Sequence, residues 1–202
     1  MNRYKEVLYN IPIGERWYEI KVQHNQGHRI IFVDSKDTVI EDQNFLGRLL
    51  NFSTTDKFLL GRKAGDPENA HIAEEEMVLT IKKRGNAFEY TVSIGGTPLK
   101  EHMAKNHRKT LVWELPIGFS KPRIFLHLES SNLWWKGREI GERQEGFRRD
   151  GPKRDLKINF AIEGRQGSIE VQNMNNFEFY VLKFDGKLVP KVDNWHQNVS
   201  DE

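Results

Sequence analysis

The chain is predicted to be all-β, built as two tandem antiparallel β-sandwich domains related by internal duplication, and three observations carry that reading. Apolar residues fall at every second position over much of the sequence, the period of a strand with one face in a core. Leu79, Ile81, Tyr90, Val92, Ile94 and Gly96 recur without a gap, at an interval of 90 residues, as Ile169, Val171, Tyr180, Leu182, Phe184 and Gly186. The crossover helices that a parallel sheet needs are missing. With 202 residues, the repeat divides the chain into two units of about 100 residues, each long enough to bury its own core. The expected boundaries are a first domain over 1–99, a linker over 100–109, a second domain over 110–193 and a polar tail over 194–202. Periodicity does not separate a barrel from a two-layer sandwich, and the sandwich is the reading taken.

In chain order, Tyr18, Ile20 and Val22 alternate with Glu19, Lys21 and Gln23, and Arg29-Ile30-Ile31-Phe32-Val33 is rich in β-branched and aromatic residues. Asn25-Gln26-Gly27 and Asp34-Ser35-Lys36 supply the small polar residues of reversals, and Gly95-Gly96 follows a strand that ends at Ile94. One short helix is predicted from Leu99 to about Lys105, inside the basic segment Lys100 to Lys109. Trp113 and Leu115, then Ile124, Leu126 and Leu128, then Ile158, Phe160 and Ile162 read as half-buried strands of the second half. The repeat makes Tyr90 and Tyr180 equivalent, each on a late strand of its domain with its ring on the core side. Residues before Tyr9 and after Asp193 show no sustained alternation and are expected to be less ordered.

Composition narrows the function classes. The 31 basic and 29 acidic residues leave a net charge of +2, so no global field draws in nucleic acid or an anionic bilayer. The absence of cysteine removes disulfides, thiolate catalysis and Cys-bound zinc together. A mean hydropathy of −0.69 and the lack of a long apolar run argue against membrane insertion, and the first residues lack the apolar stretch of a signal peptide. The expected location is cytoplasmic. The sequons at Asn51 and Asn198 are read as chance matches.

The search for chemistry returns no catalytic, cofactor or metal constellation. His24 and His28 are placed on a turn by Gly27, and two imidazoles without further ligands make a poor metal site. His102 and His107 fall in the basic linker, as solvated or partner-contacting residues. Glu74-Glu75-Glu76 reads as a solvated strand edge, not as a facing acid-base pair. The loop Arg143 to Lys157 has six basic and three acidic residues, and the interleaved acids favour protein contact over phosphate contact. Trp134-Trp135 is the unusual dipeptide: neighbouring strand residues point to opposite faces, so one ring is expected inside and the other outward. The outward ring is either covered by a neighbouring domain or a long loop, or is a partner contact, or is a stacking platform for a sugar. Trp134, Trp135, Phe147, Arg148 and Arg149 are therefore the candidate protein-contact residues. Nucleophile, phosphate-cradling and dinucleotide motifs are missing, which favours a non-enzyme.

Several segments resemble the Fas apoptosis inhibitory molecule family, from about Tyr9 to Pro190. The most specific is Gly85-Asn86-Ala87-Phe88-Glu89-Tyr90-Thr91-Val92-Ser93-Ile94-Gly95-Gly96, which resembles that family's aromatic-Glu-Tyr-Thr strand and glycine turn. His24, Gly27, Arg29 and Phe32-Val33-Asp34 resemble its early strand pair, and Phe58-Leu59-Leu60-Gly61 its next one. Trp113-Glu114-Leu115, Arg123-Ile124-Phe125-Leu126, Leu133-Trp134-Trp135-Lys136-Gly137, Phe147 through Gly151 and Phe160-Ala161-Ile162 keep the family's order. The chain departs from it at Ser35, where Gly is usual, at Tyr9 and Phe45, where Trp is usual, and in having no cysteine, so no thiol-dependent behaviour carries over. The resemblance implies tandem β-sandwiches, no enzymatic activity and a cytoplasmic role in restraining death-receptor signalling through proteins of that pathway. It equally implies an ATP-independent, holdase-like protection of unfolded clients from aggregation. A carbohydrate or small-ligand module is the third reading. The resemblance assigns no binding residue.

Overall fold

Each strand meets its neighbour by turning back on itself, so every strand pairing among the described residues is antiparallel. The structure, a computed structural model, describes residues 5–25, 28–34, 53–61, 74–85, 87–119, 121–147, 154–174 and 177–193. The fold is all-β. These residues form two compact units, one reaching Arg108 and including the Lys136–Arg138 turn, the other made of Lys109–Trp135 and Glu139–Asp193.

The first unit has two sheets. One contains β1 (Lys5–Ile13), β2 (Arg16–Asn25) and β3 (His28–Val33) in that order. The other contains β4 (Ser53–Leu60), β5 (Glu75–Arg84), β6 (Ala87–Ile94) and β7 (Thr97–Pro98), also in chain order. Before Tyr9, where less order was expected, β1 already pairs from Lys5, opposite His24. Residues after Asp193 lie outside the described residues. On β2 the buried row is Tyr18, Ile20, Val22 and His24, and on β6 Tyr90, Val92 and Ile94 form the buried row. Helix α1 (Leu99–Asn106) follows Pro98 and continues into a 3₁₀ turn, His107–Lys109. It buries Leu99, His102 and Met103, a three-and-four spacing that gives one inward stripe. His102 is thus not a solvated residue of a linker: its Nε2–H donates to the carbonyl of Pro12 at 2.6 Å.

The second unit also has two sheets. β8 (Thr110–Glu114), β9 (Arg123–His127), β10 (Leu133–Trp135) and β11 (Arg138–Ile140) form one, and β12 (Glu142–Phe147), β13 (Arg154–Ile162), β14 (Arg165–Met174), β15 (Phe177–Phe184) and β16 (Lys187–Val189) the other. One core joins them, with Trp113, Leu115, Ile124, Leu126 and Leu133 from the first and Leu156, Ile158, Phe160, Ile162, Ile169, Leu182 and Phe184 from the second. Gly167 faces Phe160 across the β13–β14 ladder, and the ring lies where a side chain at Gly167 would sit. That arrangement lets Phe160 reach Phe184, with ring centroids 6.2 Å apart and planes 22° apart.

The register of the two units repeats with the sequence. Ile81 pairs with Tyr90, Leu79 with Val92 and Ile94 with Thr97, while Val171 pairs with Tyr180, Ile169 with Leu182 and Phe184 with Lys187. The β6–β7 and β15–β16 hairpins each close on two residues of positive φ, Gly95-Gly96 and Asp185-Gly186, as the primed turns that match strand twist require. Tyr90 and Tyr180 occupy the same register position but differ in cover. Tyr90 is buried beside the His24 ring and under the ammonium of Lys5, whereas Tyr180 is half-buried at the margin of the second core.

A buried ion pair crosses the first unit. Arg29 on β3 donates through Nη2 to Oδ1 of Asp56 on β4, and both residues are buried. A buried pair recovers its desolvation cost only while both partners are present. Arg29→Leu alone is therefore expected to cost about 3–5 kcal/mol in urea unfolding, with much of that loss recovered in Arg29→Leu/Asp56→Leu. In the second unit Gly167→Ala is expected to cost about 1–3 kcal/mol, because the new methyl overlaps the Phe160 ring, and Phe160→Leu in the same chain should reduce that cost.

Candidate functional site

Period-two alternation decides which side chains each strand offers to a partner. On β10, Leu133 and Trp135 face the second core, Leu133 fully buried and Trp135 partly so. Trp134 points the other way, paired with Phe125, and both are buried as well. The dipeptide thus splits between two faces as its spacing requires, and the ring on the far face is covered, with 8% of Trp134 exposed. Phe147 ends β12 opposite Arg154. Arg148 and Arg149, with the rest of that loop to position 153, lie outside the described residues.

Exposed apolar side chains gather elsewhere. On β15 the even-numbered residues Tyr180, Leu182 and Phe184 belong to the core row, so Phe177, Phe179 and Val181 line the opposite face. Phe177 is 68% exposed and Phe179 50%, and Leu188 of β16, opposite Lys183, is 70% exposed. The polar margin of this face is the Lys157–Glu170 ion pair at 3.1 Å, where Glu170 is the cross-strand partner of Val181. Sequence reading missed this stripe although the repeat contains the signal. At the same register in the first unit stand Ala87, Glu89 and Thr91, and Glu89 is held in solvent by Arg84 at 2.8 Å. The first unit's hairpin therefore forms without aromatic residues at these three positions, where the second unit has Phe177 and Phe179.

A second cluster is polar and buried, in the first unit. His24 was expected on a turn; it lies inside β2, continues the row of Tyr18, Ile20 and Val22, and pairs across the ladder with Arg29. Its Nδ1 is 3.4 Å from the Tyr90 hydroxyl, and its ring meets Phe88 edge-on at 4.4 Å. Burial holds the His24 imidazole below its ordinary pKa, with the charges of Arg29 and Lys5 acting in the same direction. Burial also raises the Tyr90 hydroxyl. A third contact set surrounds Asp34, which accepts from Arg16 at 2.6 Å and from the Glu19 amide at 3.0 Å and holds a left-handed backbone. Among the described residues no group of three His, Asp or Glu side chains is close enough to hold a metal ion.

No described helix is long and apolar enough to cross a membrane. No solved structure matches the chain. Curated relatives do. Over 154 residues the chain is 24% identical to Fas apoptotic inhibitory molecule 1 of Homo sapiens, covering 75% of this chain and 77% of that one. Over 154 residues it is 23% identical to the protein of the same name from Bos taurus, covering 75% and 69%. The Mus musculus protein is 23% identical over 136 residues, 66% and 68% of the two chains. The sequence profile described as Fas apoptotic inhibitory molecule (FAIM1) matches residues 6–159, both sheets of the first unit and most of the strands of the second, and the chain belongs to that family.

Proposed function

We propose that this chain is a non-enzymatic, cytoplasmic interaction protein that restrains Fas-mediated apoptosis by contacting proteins of the death-receptor pathway. The observation that carries the reading is the family match over residues 6–159. What the strands expose supports the contact mode: an aromatic stripe, Phe177 and Phe179, rimmed by charge, which suits a protein surface better than a reacting substrate. The stripe lies beyond the matched residues, so its assignment rests on its exposure and on the polar residues at the same register in the first unit. Trp134, Trp135, Phe147, Arg148 and Arg149 are retained as further contact candidates, and a charge near neutrality gives nucleic acid no role. A second reading, an ATP-independent holdase for unfolded clients, is favoured by the same exposed rings, because unfolded chains present apolar segments.

The experiment is a Fas-ligand dose series in cells carrying the wild-type chain or Phe177→Ser/Phe179→Ser. Wild type is expected to shift the lethal dose upward and the double variant to lose that shift, with both proteins showing the same cooperative melt because exposed substitutions change stability little. No shift by wild type would sink the apoptotic reading, and full protection by the variant would remove the stripe from it. Light scattering of a heat-labile client at near-stoichiometric ratio, without ATP, separates the second reading: suppression by wild type alone supports a holdase face, and no suppression at several-fold excess eliminates it.

A further inference from the structure

We propose that His24 makes the first unit acid-sensitive: uptake of a proton by its buried ring releases the contact between the unit's two sheets. The ring sits at that contact, reaching from β2 to Phe88 and Tyr90 on β6. The charged groups around it come from three further strands. Lys5 of β1 is its ladder partner, with its ammonium 5.3 Å from the Tyr90 ring centre, and Arg29 of β3 is its partner on the other side. Asp56 of β4 carries the nearby carboxylate, and it is engaged by Arg29. β5 contributes Ile81, opposite Tyr90, which is apolar.

A neutral imidazole fits this setting, because it brings no charge beside Arg29 and Lys5 while its Nδ1 lies 3.4 Å from the Tyr90 hydroxyl and its ring meets Phe88 edge-on. An imidazolium does not fit. It adds a third cation beside Arg29 and Lys5 at a ring that is 8% exposed, where desolvation and both neighbouring charges disfavour it. The lowered affinity of the folded ring for a proton follows from the same geometry. Its sign fixes the pH window. The unfolded chain takes up the proton near pH 6.5, the folded unit only below that value, so stability is complete above about pH 6.5 and falls as pH drops through the interval beneath it. Within that interval the unfolding constant rises toward tenfold per pH unit.

The second unit shows that the fold does not need this cluster. Where Asp56 faces Leu79, Ile158 faces Ile169, and where Phe88 precedes Tyr90 by two residues, Glu178 precedes Tyr180. The cluster that joins that unit's sheets is apolar, with Trp113, Leu126, Ile158 and Ile169 among its residues. The second unit also provides an internal control in the same chain.

The test is amide hydrogen exchange on the full chain at pH 7.5 and 5.5, with protection factors compared between the β5–β6 and β14–β15 hairpins. Protection of β5–β6 is expected to fall about tenfold or less on acidification, in step with the linkage slope, while β14–β15 keeps its own. In His24→Gln, which stays neutral and polar, the β5–β6 loss should disappear. An equal loss in His24→Gln, or equal losses in both hairpins of wild type, would overturn the proposal. If His24→Gln does not fold, the NMR titration of the wild-type His24 ring decides: a midpoint below that of exposed histidines upholds the mechanism, and one at or above it overturns it.

Discussion

A strand with one apolar row is stable only when a second layer covers that row, and the architecture of this chain follows from that constraint. The described strands fold back as antiparallel meanders in chain order, and each sheet turns an apolar row inward. Two sheets brought together by their dry faces then make each unit. The exposed outer rows are consequently free to differ in chemistry, as Ala87, Glu89 and Thr91 differ from Phe177, Phe179 and Val181 at the same register.

The two units solve the covering problem with different materials. The second lays Phe160 across Gly167 to meet Phe184 in the apolar cluster between its sheets. The first includes Arg29, Asp56 and His24 among its buried residues. A buried charge pair rarely adds net stability over apolar residues of equal volume, but it penalises every arrangement in which the partners are separated. In the first unit this disfavours arrangements in which β3 and β4 lie apart.

The parts of this design that alternate were legible in the sequence. Tyr18, Ile20 and Val22 announce β2, and the matched rows at 79–96 and 169–186 announce two hairpins whose ladders then proved to share a register. The short helix was legible at Leu99, where alternation stops after Pro98. What escaped was the meaning of polar residues within an apolar row. His24 continues the alternation of β2 one step beyond Val22, yet a histidine next to Asn25 and Gly27 reads locally as a turn. Arg29 and Asp56 are 27 residues apart, and no local rule shows that each is the other's partner. Phe177 and Phe179 escaped for the opposite reason, since aromatic residues in a strand read as core until the register shows which parity faces inward. His102 was misplaced because a basic segment suggests solvent, whereas its helix presents only one stripe inward.

The two-residue turns at Gly95-Gly96 and Asp185-Gly186 also bear on how the chain assembles. Pairing across such a turn closes the shortest loop a hairpin allows, and hairpins of this kind form in about 1–10 μs, long before distant strands meet. The β6–β7 and β15–β16 ladders are therefore local events, whereas joining β2 to β6 closes a loop that spans most of the first unit. Once β5 is paired with β6, its other edge is a template for β4, whose ladder on β5 runs from Ser53 to Leu60.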